Sequence, residues 1–248
     1  MVQEEGLREP QIYSGLLRTI GAGYTQLNAI GQSAGLPVGT ALREKIERLV
    51  TLGYVEAQRN FAAHAKEAYR YHIADPAFMF YHEFVVPQQT QLARLAPDVF
   101  WTHHVQPRLD VYMGYIFERI AEQSYVRAMN GKHLPLAKAW GRWEGKDRDG
   151  APLEMDLVAS LDDGRTLTGG VKWNRKILGV DVFTHHLNML ERLAAAGLAW
   201  AHEARKPGAP ILFIAAGGFS SGFQEAARSS SHSVTLWALE ELYSNRFR

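Results

Sequence analysis

Two carboxylates and one ammonium are spaced to act on one surface of this chain. The runs "LEMDLVASL" (153–161) and "TLTGGVKWN" (166–174) both read as strands, joined by the tight-turn residues "DDG" at 162–164. Side chains alternate along a strand, so Glu154 and Asp156 share one side, and Gly170 and Lys172 share one side of the neighbouring strand. That grouping suits phosphodiester chemistry assisted by Mg²⁺ or Mn²⁺. A hard cation takes oxygen ligands and holds the scissile phosphate, while a lysine orients or deprotonates the attacking water and offsets the developing charge. With a glutamate in place of Gly170, "TGGVKWN" would supply half of such a site. The same residue types also describe an ordinary salt-bridged, solvated sheet face, and a D…xK spacing arises often by chance. Spacing alone leaves both readings open. The adjacent pairs His103–His104 and His185–His186 are poor chelators, because neighbours on a helix point about 100° apart, and a packing role is expected for them.

The elements around these residues read as an α/β core of mixed sheet. "LDVYMGYIFERIAEQSYVRAM" is a long amphipathic helix carrying Glu118, and "AKAWGRWEG" is a first strand. After the two runs above come a helix from about Val180 to Ala196, the buried strand "PILFIAA" and the glycine-flanked helix "SSGFQEAARS". The strand "VTLWAL" and a closing helix to Tyr243 complete it.

In the first third, three helical blocks are separated by glycine-containing breaks. The first starts near Pro10 and buries Ile12, Leu16, Leu17 and Ile20. Thr25 is a candidate cap for the second and Thr40 for the third, whose Leu42, Ile46, Leu49 and Val50 line one side. "YVEAQ" and "YRYHIA" then alternate like the strands of a hairpin. Three helices followed by a hairpin is the winged variety of the helix-turn-helix. In such a module Arg43, Lys45 and Arg48 of the third helix would reach a major groove, with Arg59, Lys66 and Arg70 on the wing. Residues 25–72 carry six Lys/Arg against four Asp/Glu, a weak footprint for a duplex with one charge about every 1.7 Å, so a protein-facing role stands beside DNA contact. The aromatic-rich segment after the hairpin predicts a buried helical connector packed between the domains. The expected divisions are 1–75, 76–107 and 108–248.

Composition sets the frame. At 248 residues with 46% hydrophobic content, the chain is long enough for two small folded domains. It has no cysteine, which suits a reducing interior and excludes disulfides and thiolate metal sites. The two glutamates of "MVQEEGLREP" oppose a signal peptide, and no stretch reaches the roughly 20 apolar residues of a membrane helix. A cytoplasmic protein without membrane contact is expected. A net charge of +1 gives no global attraction to nucleic acid, so any such contact must be local.

In order, "AYRYHIADPAFMFYHEFV", "GYIFERIAEQ", "GRWEG…LEMDLVAS", "TGGVKW", "GFSSGF" and "VTLWALEELY" resemble the C-terminal region of the archaeal-type P-loop ATPases. In that family a winged helix precedes a domain similar to the PD-(D/E)XK nucleases, the restriction-endonuclease-like fold. The resemblance runs from "LREPQIY" to the end. It implies that Glu118, Asp156 and Lys172 occupy the nuclease-like positions with Glu154 as the accompanying acid, and that Asp156, Glu154 and Glu118 are the residues left to hold a metal. Two departures stand out. The glutamate of the family's third motif is Gly170, and no G-x-x-x-x-G-K-[ST] stretch is present, so the chain is either a free-standing relative or a fragment of a longer protein. The expectation is a DNA-associated module whose nuclease-like domain is degenerate, a pseudoenzyme rather than an enzyme. Two alternatives remain: an active Mg²⁺- or Mn²⁺-dependent nuclease with a relocated carboxylate, and an interaction domain serving a P-loop ATPase.

Overall fold

The computed structural model describes residues 9–64, 67–131 and 134–243. They divide into two compact units, one made of the described residues up to Leu109 except Asn60–Ala62, the other of Asn60–Ala62 with the residues from Asp110 onward.

The first unit opens with helices α1 (Pro10–Gly21), α2 (Leu27–Ala34) and α3 (Thr40–Thr51). Pro10 sits in the first turn of α1, where a missing N–H costs nothing, and α2 stops at Gly35, whose φ of 68° a side chain would resist. Apolar residues three and four apart turn inward: Leu16, Leu17 and Ile20 from α1, Ile30 from α2, and Leu42, Ile46 and Leu49 from α3. Strands β1 (Val55–Gln58) and β2 (Arg70–Ile73) pair antiparallel, with Val55 opposite Ile73, and add Val55, Tyr71 and Ile73 to the same core. Neither expected cap forms. Gln26 and Gly39 stand at the N-cap positions without a side-chain bond, and Thr40 is already helical. Thr25 is drawn to the hairpin, where its carbonyl accepts from the Tyr71 N–H at 2.8 Å.

The connecting segment is helical over 76–92 and again from 97, with a break at 93–96 and a change of helical pitch inside each run. α4 (Pro76–Phe80) leads into a π-turn at Tyr81–Val85, followed by α5 (Gln89–Leu92), α6 (Pro97–Phe100) and a second π-turn at Trp101–Val105. Pro76 and Pro97 open the two runs at first-turn positions, and Pro87 lies in the 3-10 turn at Val86–Gln88. The segment is not uniformly buried, since Tyr81, Leu92, Val99 and Trp101 are exposed. The segment belongs to the first of the two units, which ends at Leu109. His103 is exposed, and the His104 ring lies 5.0 Å from that of Phe100.

In the second unit, helix α7 (Gln106–Asn130, which begins before the unit boundary) precedes β3 (Ala137–Lys146), β4 (Pro152–Leu161) and β5 (Thr166–Lys172). Then come α8 (Val180–Ala195), α9 (Ala199–Ala204), β6 (Pro210–Ala215), α10 (Ser221–Arg228), β7 (Ser233–Trp237) and α11 (Leu239–Leu242). The five strands lie in chain order; β3, β4 and β5 are antiparallel, and β5, β6 and β7 are parallel through helical crossovers. Helix α9 was not anticipated; it buries Trp200, Ala201 and Ala204 beyond the break at Gly197. Phe117, Ala121 and Tyr125 of α7 pack with Leu157, Leu212 and Ile214 of the sheet. Leu190 and Leu193 of α8 pack with Met155 and Val158, while Phe183 packs with Phe213 and with Phe223 of α10. Two-sided cover explains why β5 and β6 are almost wholly buried. Among the described residues, no helix is long and apolar enough to cross a membrane.

One contact fixes the middle of this sheet. A Cβ on Gly169 would lie 1.8 Å from the carbonyl oxygen of Leu212 and 2.9 Å from its carbon, so β6 approaches β5 only because residue 169 has no side chain. Gly169→Ala is expected to destabilise the fold by at least about 3 kcal/mol, seen as a lowered midpoint in thermal unfolding by circular dichroism. An unchanged midpoint would contradict the close approach.

Candidate functional site

Asp156 is firmly anchored in the second unit. Its side chain is only 9% exposed, and Oδ2 accepts from Lys172 Nζ at 2.6 Å and from the Val171 N–H at 3.0 Å. The sheet dictates this arrangement. β4 and β5 are antiparallel neighbours, and Trp173, next to Lys172, donates from Nε1 to Asp110 Oδ1 at 3.1 Å while its ring meets Phe117 edge-on at 5.4 Å. Both contacts tie the end of β5 to α7, and so hold the backbone that carries Lys172.

Glu154, Asp156, Gly170 and Lys172 line one cavity of about 90 Å³, with His185, His186 and Phe213 on its other walls. A Cβ on Gly170 would point into it, 3.8 Å from Asp156 Oδ2 and 3.3 Å from two ring carbons of Phe213. Position 170 therefore faces the Asp156 carboxylate, and the Phe213 ring stands beside the space a longer side chain there would use. His186 is buried and its Nε2 lies 3.1 Å from Thr168 Oγ1. Desolvation, followed by the charges of His232, His185 and Lys172, lowers its pKa to about 3, so the ring is neutral. His186 is thus a packed, hydrogen-bonded residue, whereas His185 is exposed at the cavity wall.

Glu118 stands apart from the Asp156–Lys172 pair. Its partner is Arg142 of β3, 3.9 Å away, and Arg142 also lies 3.7 Å from Glu144 and 2.6 Å from Glu154. One guanidinium thus serves three carboxylates from α7, β3 and β4. The sequence reading passed over Arg142; the signal was the alternation in "GRWEG", which puts Arg142 and Glu144 on one side of β3. Burial pushes the Glu118 carboxyl from 4.5 up to about 7, Arg142 opposes that, and the negative charges of Asp156 and Glu154 add to it. Among the described residues, no three His, Asp or Glu side chains form a group that could hold a metal ion. Glu154 is turned to Arg142 and Asp156 to Lys172, so these acids are satisfied by cations of the chain itself. The residues present do not fit a divalent ion that prefers near-octahedral oxygen coordination.

The basic residues of the first unit differ in availability. Arg43 and Arg48 are exposed on α3. Lys45 instead pairs with Glu9 at 2.6 Å and lies 5.6 Å from the Tyr13 ring centre, and the Arg59 guanidinium stacks 3.9 Å from the Tyr69 ring. Arg70 is half-buried within β2, and Lys66 lies outside the described residues.

The second unit thus defines an α/β protein with an acid–lysine pair on adjacent antiparallel strands of a mixed five-stranded sheet. Residues 81–182 match the model of the DUF234 family, described as archaeal and bacterial proteins of unknown function. That span takes in Glu118, Arg142, Glu154, Asp156, Gly170 and Lys172. No curated protein and no solved structure matches the chain.

The Glu118 carboxyl gives the site a pH signature. It ionises near 7 in the folded chain and near 4.5 when unfolded, so between those values the folded state holds the extra proton and stability falls as pH rises. The neutral, buried His186 contributes stability that rises with pH over part of the same window, so Glu118→Gln and wild type are compared by difference. Glu118→Gln is expected to gain stability relative to wild type as pH rises from ~5 to ~8, by on the order of 1 kcal/mol at the alkaline end, allowing for partial exposure. A difference in unfolding midpoint that does not change with pH would show that the Glu118 carboxyl is not shifted.

Proposed function

We propose that this chain is a DNA-associated module in which a winged helix-turn-helix, built from α1–α3 and the β1–β2 hairpin, accompanies a PD-(D/E)XK-like domain that has lost its metal chemistry. Support for the first part is the order of three helices and an antiparallel hairpin, with Arg43 and Arg48 exposed on the third helix. Support for the second is the long helix followed by a mixed sheet carrying Asp156 and Lys172 on adjacent strands, together with the family resemblance of those motifs.

One observation carries the claim of lost catalysis. Residue 170 faces the Asp156 carboxylate and has no side chain, while the Phe213 ring borders the space that a ligand there would need. A hard divalent ion needs several oxygen ligands converging on it, and here the remaining acids are paired with Arg142 and Lys172. Backbone binding survives such a loss, because Lys and Arg side chains suffice for phosphate contact. A second reading, a protein-facing module serving a P-loop ATPase, draws on the pairing of Lys45 with Glu9, which takes one expected cation out of the recognition face.

Fluorescence anisotropy with duplex and single-stranded DNA decides between them. Micromolar binding that weakens steeply with salt is expected, and Arg43→Glu with Arg48→Glu should reduce the slope of log K against log salt by about 2. Absence of any salt-sensitive binding would leave the protein-facing reading in possession. For the lost site, Gly170→Glu combined with Phe213→Ala is expected to raise Mn²⁺ affinity by about tenfold or more over wild type in calorimetry. Equal affinities in the two proteins would place the defect elsewhere.

A further inference from the structure

The second unit includes three residues that lie far from the rest of it in sequence, Asn60, Phe61 and Ala62, which come from the loop of the β1–β2 hairpin. They sit on β3. That strand stands at one end of the sheet order, and its outer edge pairs with no strand among the described residues. The Asn60 carboxamide takes the place of a partner peptide group there: Nδ2 donates to the Glu144 carbonyl at 2.8 Å, and Oδ1 accepts from the Glu144 N–H at 3.1 Å. The Phe61 N–H donates to the Arg142 carbonyl at 2.8 Å. Its half-buried ring packs on the cluster that holds Trp143, Met155 and Trp200, meeting Trp200 edge-on with ring centres 6.3 Å apart.

Covering an open edge is by itself a reason for a loop to lie on a strand, since unpaired N–H and C=O groups template unwanted pairing. Two features go beyond cover. The seat is small, three hydrogen bonds and one half-buried ring, so the loop is held without becoming core. The chain also leaves the seat through Ala62 at φ 56°, a left-handed conformation that a residue with a Cβ resists. The seated state therefore carries a local cost that disappears on release. A partner that prefers the released loop would tip such a balance.

The make-up of the loop indicates that partner. Residues 59–70 carry Arg59, Lys66 and Arg70 against one acid, Glu67. A wing meets a nucleic-acid backbone through Lys, Arg, polar side chains and main-chain N–H groups. In the seated loop the Asn60 carboxamide and the Phe61 N–H are already engaged on β3. For these residues, seating and contact with a duplex exclude one another.

We propose that residues 60–62 form an autoinhibitory latch, which withholds the wing from DNA while it is seated on β3 and makes the chain a tighter binder once released. This inference rests on the DNA-associated reading above.

Fluorescence anisotropy with duplex DNA on the full chain, paired with hydrogen exchange at the Glu144 amide, tests it. Phe61→Ala and Asn60→Leu are each expected to speed exchange at Glu144 and to tighten DNA binding by about tenfold. Ala62→Gly relieves the left-handed conformation, so it should act in the opposite sense, slowing that exchange and weakening binding by about threefold. A merely structural cover would produce neither effect on DNA. Faster exchange at Glu144 with DNA affinity at or below that of wild type would overturn the latch and leave the DNA-associated reading standing, and unchanged exchange in both release variants would deny the seat itself. No salt-sensitive binding by wild type or by any variant would remove both. If Phe61→Ala and Asn60→Leu fail to fold, the change at the exposed Ala62 decides alone, and unchanged or tighter binding by Ala62→Gly overturns the proposal.

Discussion

The carbonyl oxygen of Leu212 occupies the space where a side chain at position 169 would begin, and the parallel pairing of β5 with β6 is built on that approach. β5 is the strand at which the sheet changes from antiparallel to parallel, so its spacing on both sides is set there. Once β5 is seated, Gly170 comes into register with Phe213, and the Val171 N–H is left facing the Asp156 carboxylate rather than a strand carbonyl. Lys172 then follows on the last residue of the strand, within reach of the same oxygen. The local chemistry of the candidate site is thus a consequence of backbone packing.

Electrostatics decides what that geometry is good for. Four acids, Glu118, Glu144, Glu154 and Asp156, meet two cations, Arg142 and Lys172, at distances from 2.6 to 3.9 Å. Glu118 holds a proton close to neutrality because it is buried among other carboxylates. Its neutral form reduces the negative excess to a single charge, too little to draw a divalent ion away from water without converging ligands. The half-exposed Lys172 and the largely buried Asp156 make an uneven pair, and it is the carboxylate that bears the desolvation. A second hydrogen bond from the Val171 N–H offsets part of that cost. The cluster is best described as a self-satisfied network at the end of a sheet.

Elements with strong periodicity were legible in the residues. The three-residue and four-residue spacing of Leu42, Ile46 and Leu49 and the apolar run of "PILFIA" led to a helix and a buried strand within a residue or two of their bounds. Failures came where a local rule competed with a longer-range one. Thr25 had the chemistry of a cap but pairs through its carbonyl with Tyr71 of the hairpin, a contact that no local window reveals. Aromatic density between Phe78 and Trp101 points to burial, yet on a helix only one face can be covered, and Tyr81 and Trp101 are exposed. Individual site residues could be named from alternation alone; their partners could not. Arg142 attracts Glu118 and Glu154 from different elements, and only the folded chain brings those three together.

The paired glycines at 169 and 170 show why sequence resemblance and physical necessity must be kept apart. Both are buried on one strand, but they are glycines for different reasons. At 169 the obstacle is backbone, which cannot move without separating two strands. At 170 the nearest atoms are two carbons at the edge of the Phe213 ring, 3.3 Å from where a Cβ would stand, so a side chain there requires that ring to give by a few tenths of an ångström. The fold therefore demands the first glycine, while at the second the obstacle is the Phe213 ring, packed against Phe183, His186 and Phe223. The backbone at residue 170 would accept a side chain, since Gly170 is not among the glycines held at positive φ. At position 170, beside the Asp156 carboxylate, the limit on a side chain is therefore the packing of Phe213 and not the strand.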